Sequence, residues 1–530
     1  MVDRGYRKAS RVPARPSRSA TVRTMRSRRL LQSNFAAGAT AALLVASCEV
    51  GPDYEPPVLE DEVIREEYTA VEDVAVEEPA AEDPSIEDPA FSSDEADIRE
   101  WWTVFDDPML TSIIARAEEG NKDLKIAVSR VSEARARLGF AKAGRYPSIG
   151  IGGGTSAQND FFTGFETRTV SSIGADVSWE LDVFGRVARQ IEAEDATYEA
   201  TEEDQRDVRV TLMAEVARAY IGVRALQMQL ESAEKNLASQ KQILELTRSR
   251  TENGISSELD LSRALSIHAA SEAAVPPLRV GLSREVNTLG VLIGKNPTAL
   301  QKELAEPKPI PVPPTHIAVG VPADLLRQRP DIRAAERRLA GQTARVGIAT
   351  ADLYPTFGIG GSLGFSDLAG GNLLDPGSRS FSLGPSMQWT LFDGGRTRSA
   401  IKVADAGVEQ ALLIYERTVL SALQEVETAM TTFTQEGSRV GALERAAAAS
   451  REALRLSTGL YEKGLIDYEQ LLDVQRSLLA QEIEVSAARG QAATSLVMLY
   501  RALGGGWDPS ELDQEGDGPA ADGAPDGGND

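Results

Sequence analysis

A chain of 530 residues with two histidines and a single cysteine has few routes to covalent or metal chemistry. Cys48 has no second thiol, which excludes an internal disulfide, a CxxC redox pair and any multi-thiolate zinc site. His268 and His316 show no ligand spacing, so metal binding would fall to carboxylates alone, and neither a metal nor a cofactor is expected. Gly150-Ile-Gly-Gly-Gly154 has the glycine content of a phosphate loop, but no Gly-Lys-Ser/Thr follows and its neighbours read as a strand. The adjacent acids Asp106-Asp107 suit a helix N-terminus better than an acid/base pair. No catalytic constellation emerges, and the chain is read as a non-enzyme.

Charge distribution shows what surrounds these residues. Residues 1–47 carry ten basic and one acidic side chains, residues 48–100 carry twenty acidic and two basic, and residues 508–530 carry eight acidic and none basic. With a net charge of −24, this leaves about −7 for 101–507. The acidic blocks hold too few large apolar residues to offset the entropy of ordering and read as flexible segments. Neither offers a basic surface to nucleic acid. Arg4 to Arg29 followed by the apolar stretch Phe35–Val45 has the order of an export signal. Val45-Ala46-Ser47-Cys48 resembles the bacterial lipobox, which implies cleavage before Cys48 and acylation of its thiol. No run of about 18 apolar residues is present, so no ordinary membrane-spanning helix is expected.

The chain is duplicated. Tyr146-Pro-Ser-Ile-Gly-Ile-Gly-Gly-Gly154 recurs as Tyr354-Pro-Thr-Phe-Gly-Ile-Gly-Gly-Ser362, an offset of 208. Trp179-Glu-Leu-Asp-Val-Phe-Gly-Arg186 recurs as Trp389-Thr-Leu-Phe-Asp-Gly-Gly-Arg396, and Gly254 as Gly464, at 210. The expected domains are a signal peptide at 1–47, an acyl-Cys and acidic segment at 48–100, and a first repeat at 101–300. A Pro-rich linker at 301–323, a second repeat at 324–507 and an acidic tail at 508–530 complete the chain. Each repeat reads helix, strand, loop, strand, long helix, turn, helix.

In the strands, Phe381, Leu383, Met387 and Trp389 alternate with Ser382, Gly384, Ser386 and Gln388, and Ile173, Val177 and Trp179 do so in the first half. One face is apolar and the other small and polar, as a barrel with lipid outside and water inside requires. The long helices are expected over 187–253 and 397–463, roughly 100 Å each at 1.5 Å per residue. Apolar residues recur every seven positions at Val216, Val223, Leu230, Leu237 and Leu244, and at Leu412, Val419, Val426, Phe433, Val440, Ala447 and Leu454, the period of a left-handed supercoil. Pro276-Pro277 is expected to break the first return helix. Four strands cannot close a transmembrane barrel, so copies must complete it: two give eight strands and three give twelve.

The repeat pattern, Gly51-Pro-Asp-Tyr-Glu-Pro56 and Leu326-Arg-Gln-Arg-Pro-Asp-Ile-Arg-Ala-Ala-Glu336 resemble the TolC-like outer-membrane efflux factors, the lipoprotein branch serving RND-type pumps. The resemblance implies a mainly helical fold with membrane β: a homotrimer with a twelve-stranded β-barrel in the outer membrane and an α-barrel of long helices in the periplasm. It implies passive conduction of small molecules, a periplasmic adaptor and an inner-membrane RND pump as partners, and contact with outer-membrane lipid. It also implies that the helix tips at Gly254, Ile255, Gly464 and Leu465 meet the adaptor. Asp473 resembles an acidic position that narrows the periplasmic entrance, and Tyr461 an aromatic on the neighbouring helix. Type I protein secretion through the same channel, or a coiled-coil lipoprotein without a pore, are the alternatives.

Overall fold

Capping side chains start the first two α-helices among the described residues. The computed structural model describes residues 49–57, 68, 90–92, 98–159, 167–314, 316–367 and 375–507. The expected export signal, Cys48, most of the acidic segment and the tail at 508–530 lie outside the described residues. Asp107 caps α1 (Pro108–Gly120), its carboxylate accepting from the Met109 and Leu110 N–H groups, with Pro108 at the first turn. Asn121 caps α2 (Lys122–Ala143) in the same way. The hairpin β2 (Ser148–Asn159) and β3 (Thr167–Leu181) follows, then α3 (Arg186–Glu252) and the return helix α4 (Glu258–Leu292). After a short strand, β4 (His316–Ala318), the second repeat lays down α5 (Pro330–Ala351), β5 (Thr356–Asp367), β6 (Arg379–Gln388), α6 (Arg396–Glu462) and α7 (Tyr468–Ala502). Helix lengths match pairwise at 22, 67 and 35 residues.

The four long strands form one antiparallel sheet in the order β2-β3-β5-β6, so β2 and β6 each have a strand neighbour on one side. Its register keeps the two faces distinct. Ile151, Ala175, Leu363 and Phe381 stand on one rung, and Gly150, Asp176, Ser362 and Ser382 on the next. A one-residue slip would exchange the faces. Gly174 faces Gly364, where the strands approach so closely that a Cβ on Gly364 would lie 2.6 Å from Gly174 Cα.

Every member of both seven-residue series is buried or half-buried. The main core lies where α1 and the middle of α3 meet α7, around Trp101, Ile113, Met213, Tyr220, Val223 and Leu496. A second, smaller core at the far helix ends holds Leu244, Ile267, Tyr461, Leu471 and Leu472.

Two features depart from expectation. Parts of the acidic segment enter the fold. β1 (Ala90–Ser92) pairs in parallel with β4, Phe91 lies 6.3 Å from Phe433, and Tyr68 is buried in the main core. A few large apolar side chains are enough to pin a charged stretch to a core already built. The return helix α4 also runs unbroken through Pro276-Pro277. Both prolines are exposed, as are Glu272 and Ala273, whose carbonyls lose their donors, so no unpaired group is forced into the interior.

Overpacking at the close strand approach should be felt. Gly364→Val is expected to destabilise the sheet by about 1–3 kcal/mol. Gly384→Ala, where an added Cβ meets nothing within 4 Å, should be near neutral. Thermal melts of the detergent-solubilised protein, followed by the β-sheet circular dichroism signal, distinguish the two.

Candidate functional site

The sheet is built to divide two solvents. Ile149, Ile151, Leu363, Phe381, Leu383 and Met387 all project from one face and are exposed, although that face is the apolar one. The other face is mostly glycine and serine, with Asp176 and Glu180 among them, and is tied across strands by hydroxyl contacts of 2.8 Å between Ser148 and Ser178 and between Ser362 and Ser382. Where the strands end, Trp179 Nε1 donates to the Arg145 carbonyl and Trp389 Nε1 to that of Leu353, both at 3.0 Å. The two hairpins are thus fastened to the preceding helices in the same way. Such tryptophans at strand ends suit a membrane–water interface.

From the sheet the chain turns into the long helices through acid caps. The Asp182 carboxylate accepts from the Val187 and Ala188 N–H groups, and Asp393 accepts from the Gly395 and Thr397 N–H groups. Cys48 lies outside the described residues, but the residues after it are fastened here. The Val50 N–H donates to the Phe184 carbonyl, and buried Arg189 donates to Asp53 at 2.5 Å and to Glu192 at 2.8 Å. Val50 and Asp53 are thus held at the strand–helix junction.

Midway along the helices lies an arrangement that sequence spacing did not reveal. Arg329, before Pro330, donates to Asp331 through two nitrogens, to Glu425 at 2.8 Å and to the Ala502 carbonyl at 2.8 Å. Arg329, Asp331 and Glu425 border a cavity of about 140 Å³ together with Asp207 and Arg501. Burial first, and the like charge of Asp331 second, push the Asp207 carboxyl above the usual carboxylate range. Trp507 closes this level, its indole N–H on the Gln328 carbonyl and its ring 5.3 and 5.5 Å from the Arg206 and Arg333 guanidinium carbons.

At the far ends the helices reverse through two matching turns. Gly254 and Gly464 both adopt φ +71°, the left-handed conformation glycine accepts most readily. The N–H of the next residue reaches back five positions, Ile255 to the Arg250 carbonyl at 2.8 Å and Leu465 to that of Leu460 at 2.9 Å. Ile255 and Leu465 are left exposed at the tips. Of the two expected entrance residues, Asp473 is exposed on α7, while Tyr461 is buried in the small core between helices. Arg250 connects the repeats here. Its guanidinium stands 4.5 Å from the Tyr461 ring centroid and donates to the Tyr461 carbonyl at 3.2 Å. Nearby, Gln240 and Gln475 are joined inside the seam at 3.0 Å, and Arg263 pairs with Glu469 at 3.1 Å on its surface. Among the described residues no group of three or more His, Cys, Asp or Glu is placed to hold a metal ion.

Two consequences can be measured. Arg250→Ala removes a cation–π contact and a hydrogen bond, together about 1–2 kcal/mol. Amide exchange across the turns at 253–256 and 463–467 should accelerate about tenfold, with exchange in the strands unchanged. Asp207→Asn should raise the thermal midpoint at neutral pH. An acid whose folded pKa is raised opposes folding while ionised, so the gain should shrink as pH falls through that raised value and vanish below the ordinary carboxylate range.

The family model described as "Outer membrane efflux protein" matches residues 113–295 and 321–505. The chain is 32% identical over 418 residues to outer membrane protein OprJ of Pseudomonas aeruginosa, covering 78% of this chain and 87% of that one. It is 30% identical over 413 residues to the cation efflux system protein CusC of Escherichia coli O157:H7, covering 77% and 88%. The solved structure of the outer-membrane channel OprN superposes with a TM-score of 0.75 at 35% identity, covering 87% of this chain and 100% of that one. The two matched stretches fall on the two halves of the duplication, and the chain belongs to the outer membrane efflux protein family.

Proposed function

We propose that this protein is the outer-membrane channel of a tripartite efflux system, conducting small molecules such as drugs or other toxic compounds passively from an inner-membrane pump to the exterior. One observation carries the reading: a four-stranded sheet with an apolar outer face and, among the described residues, an unpaired edge on each side. In lipid each open edge leaves backbone donors and acceptors without water, at several kcal/mol apiece. Three copies supply twelve strands, enough to close a barrel and leave a lumen lined mostly by serine and glycine. Such a lining is polar without being selective, so specificity belongs to the pump. The long helices continue the conduit into the periplasm.

Around that core, Cys48 carries the acyl anchor, and the fastened residues after it hold the anchor's tether beside the barrel. Ile255 and Leu465, presented by Gly254 and Gly464, meet the periplasmic adaptor, and the pump is of the RND type. Asp473 lines the entrance. Three copies bring three such carboxylates together, where their mutual repulsion invites cations into the opening. Tyr461 supports the entrance from behind by holding Arg250 in the seam.

Purified protein should migrate as a heat-modifiable trimer and conduct ions in planar bilayers. A protein that is monomeric in detergent, or trimeric without conductance, would sink the reading. Asp473→Ala should raise single-channel conductance in the resting state by about twofold. An unchanged conductance would remove Asp473 from the entrance.

A further inference from the structure

The end of the sheet that leads into the long helices collects positive charge that the fold does not use. β2 begins there at Ser148, β3 ends at Leu181, β5 begins at Thr356 and β6 ends at Gln388. Lys142 and Arg145 lie just before β2, and Arg396 and Arg398 follow β6, in the first turn of α6. All four are exposed, and no side chain among the described residues pairs with them. The acids at this level are mostly committed elsewhere. Asp182 and Asp393 cap the long helices, Glu180 holds Arg186 at 2.6 Å and Asp53 holds Arg189, which leaves Glu49 and Asp352.

The duplication shows that the fold does not require these bases. Lys142 corresponds to Thr350, Arg145 to Leu353 and Arg398 to Ala188. Arg396 corresponds to Arg186, but Glu180, which neutralises Arg186, corresponds to Thr390. Each repeat therefore carries two free bases where the other repeat is neutral or paired. Arg396 and Arg398 also stand at the positive end of the α6 dipole, with no acidic side chain in that turn. The sign is unfavourable there, and an anion supplied from outside would offset it.

The surroundings of the bases identify the anion. Trp179 stands on the apolar face and holds the Arg145 carbonyl, and Tyr146 beside it is 73% exposed. Leu391 and Phe392, between β6 and α6, are 78% and 89% exposed. Bases, tryptophans and exposed apolar side chains thus share one level, at the rim of the face that meets lipid. Val50 and Asp53, close behind Cys48, are fastened at the same level. A small soluble anion would satisfy only the bases, whereas a lipid matches both the charge and the apolar rim. We infer that Lys142, Arg145, Arg396 and Arg398 bind the phosphate groups of anionic phospholipids in the leaflet nearest the helices. This rests on the channel reading, which puts the sheet in a bilayer, and adds to it a preference for lipid charge. A base close to an anionic membrane surface adds about fivefold to the attraction.

The full-length acylated protein, reconstituted in bilayers, carries its own reporters. Of its five tryptophans, Trp101, Trp102 and Trp507 are buried, while Trp179 and Trp389 are exposed at this level. Chain-brominated phosphatidylglycerol, diluted in plain phosphatidylcholine, should quench their fluorescence as though bound about fivefold more tightly than brominated phosphatidylcholine, at low salt. In about 0.5 M salt the preference should fall at least twofold, a readout that needs no variant. Lys142→Gln, Arg145→Gln, Arg396→Gln and Arg398→Gln together should abolish the preference at low salt and leave quenching by phosphatidylcholine unchanged. Equal quenching by the two lipids in the unaltered protein overturns the proposal and leaves the channel reading standing. So does a preference that survives high salt or the four substitutions. Quenching by neither lipid would take the sheet out of the bilayer and overturn both.

Discussion

Backbone hydrogen bonding at the two edges of the sheet governs the rest of this molecule. β2 and β6 each carry a row of N–H and C=O groups that no strand among the described residues pairs. In water such edges invite aggregation; in hydrocarbon they are prohibitive. The sheet is stable in a membrane only as part of a closed ring, and no segment among the described residues caps it. Duplication and helix length both suit a ring built out of repeats.

Different forces hold different levels. The sheet gains little from side-chain packing, because its apolar face needs lipid and its polar face is too small to interdigitate. Its cohesion is the hydrogen-bond ladder, with the close Gly174–Gly364 approach drawing β3 and β5 together. At mid-length the large buried cluster around Trp101, Tyr220 and Leu496 dominates, since each buried large side chain is worth about 1.5–3 kcal/mol. Surface ion pairs such as Arg338–Asp204 contribute less, about 0.2–1 kcal/mol, and serve alignment more than stability. The far ends are held by a small core, one buried amide pair and the Arg250–Tyr461 contact.

Much of this was legible in the residues. Alternation showed both hairpins and their faces, the Tyr-Pro and Trp motifs showed the duplication, and the seven-residue series marked the buried stripes of α3 and α6. The expected bounds 187–253 and 397–463 fall one residue from the observed 186–252 and 396–462. What escaped were contacts joining distant positions. Arg250 and Tyr461 are 211 residues apart and share no local pattern. Arg329 was visible within its motif, but its partners Glu425 and the Ala502 carbonyl were not. Phe91 and Tyr68 were lost in an acidic background, because composition averages over the few apolar residues that dock. Pro276-Pro277 misled because missing donors matter only where the orphaned carbonyls are buried.

The sequence alone therefore determined the repeated elements, the two-faced strands and the need for additional copies. These are one-dimensional properties: a period of two, a period of seven, an offset near 210. Tertiary structure decided which repeat lies beside which strand and helix, and how Tyr461 turns inward while Asp473 stays outside. Those outcomes depend on packing between segments some 200 residues apart, and no periodicity records which distant side chain will fill a given seam.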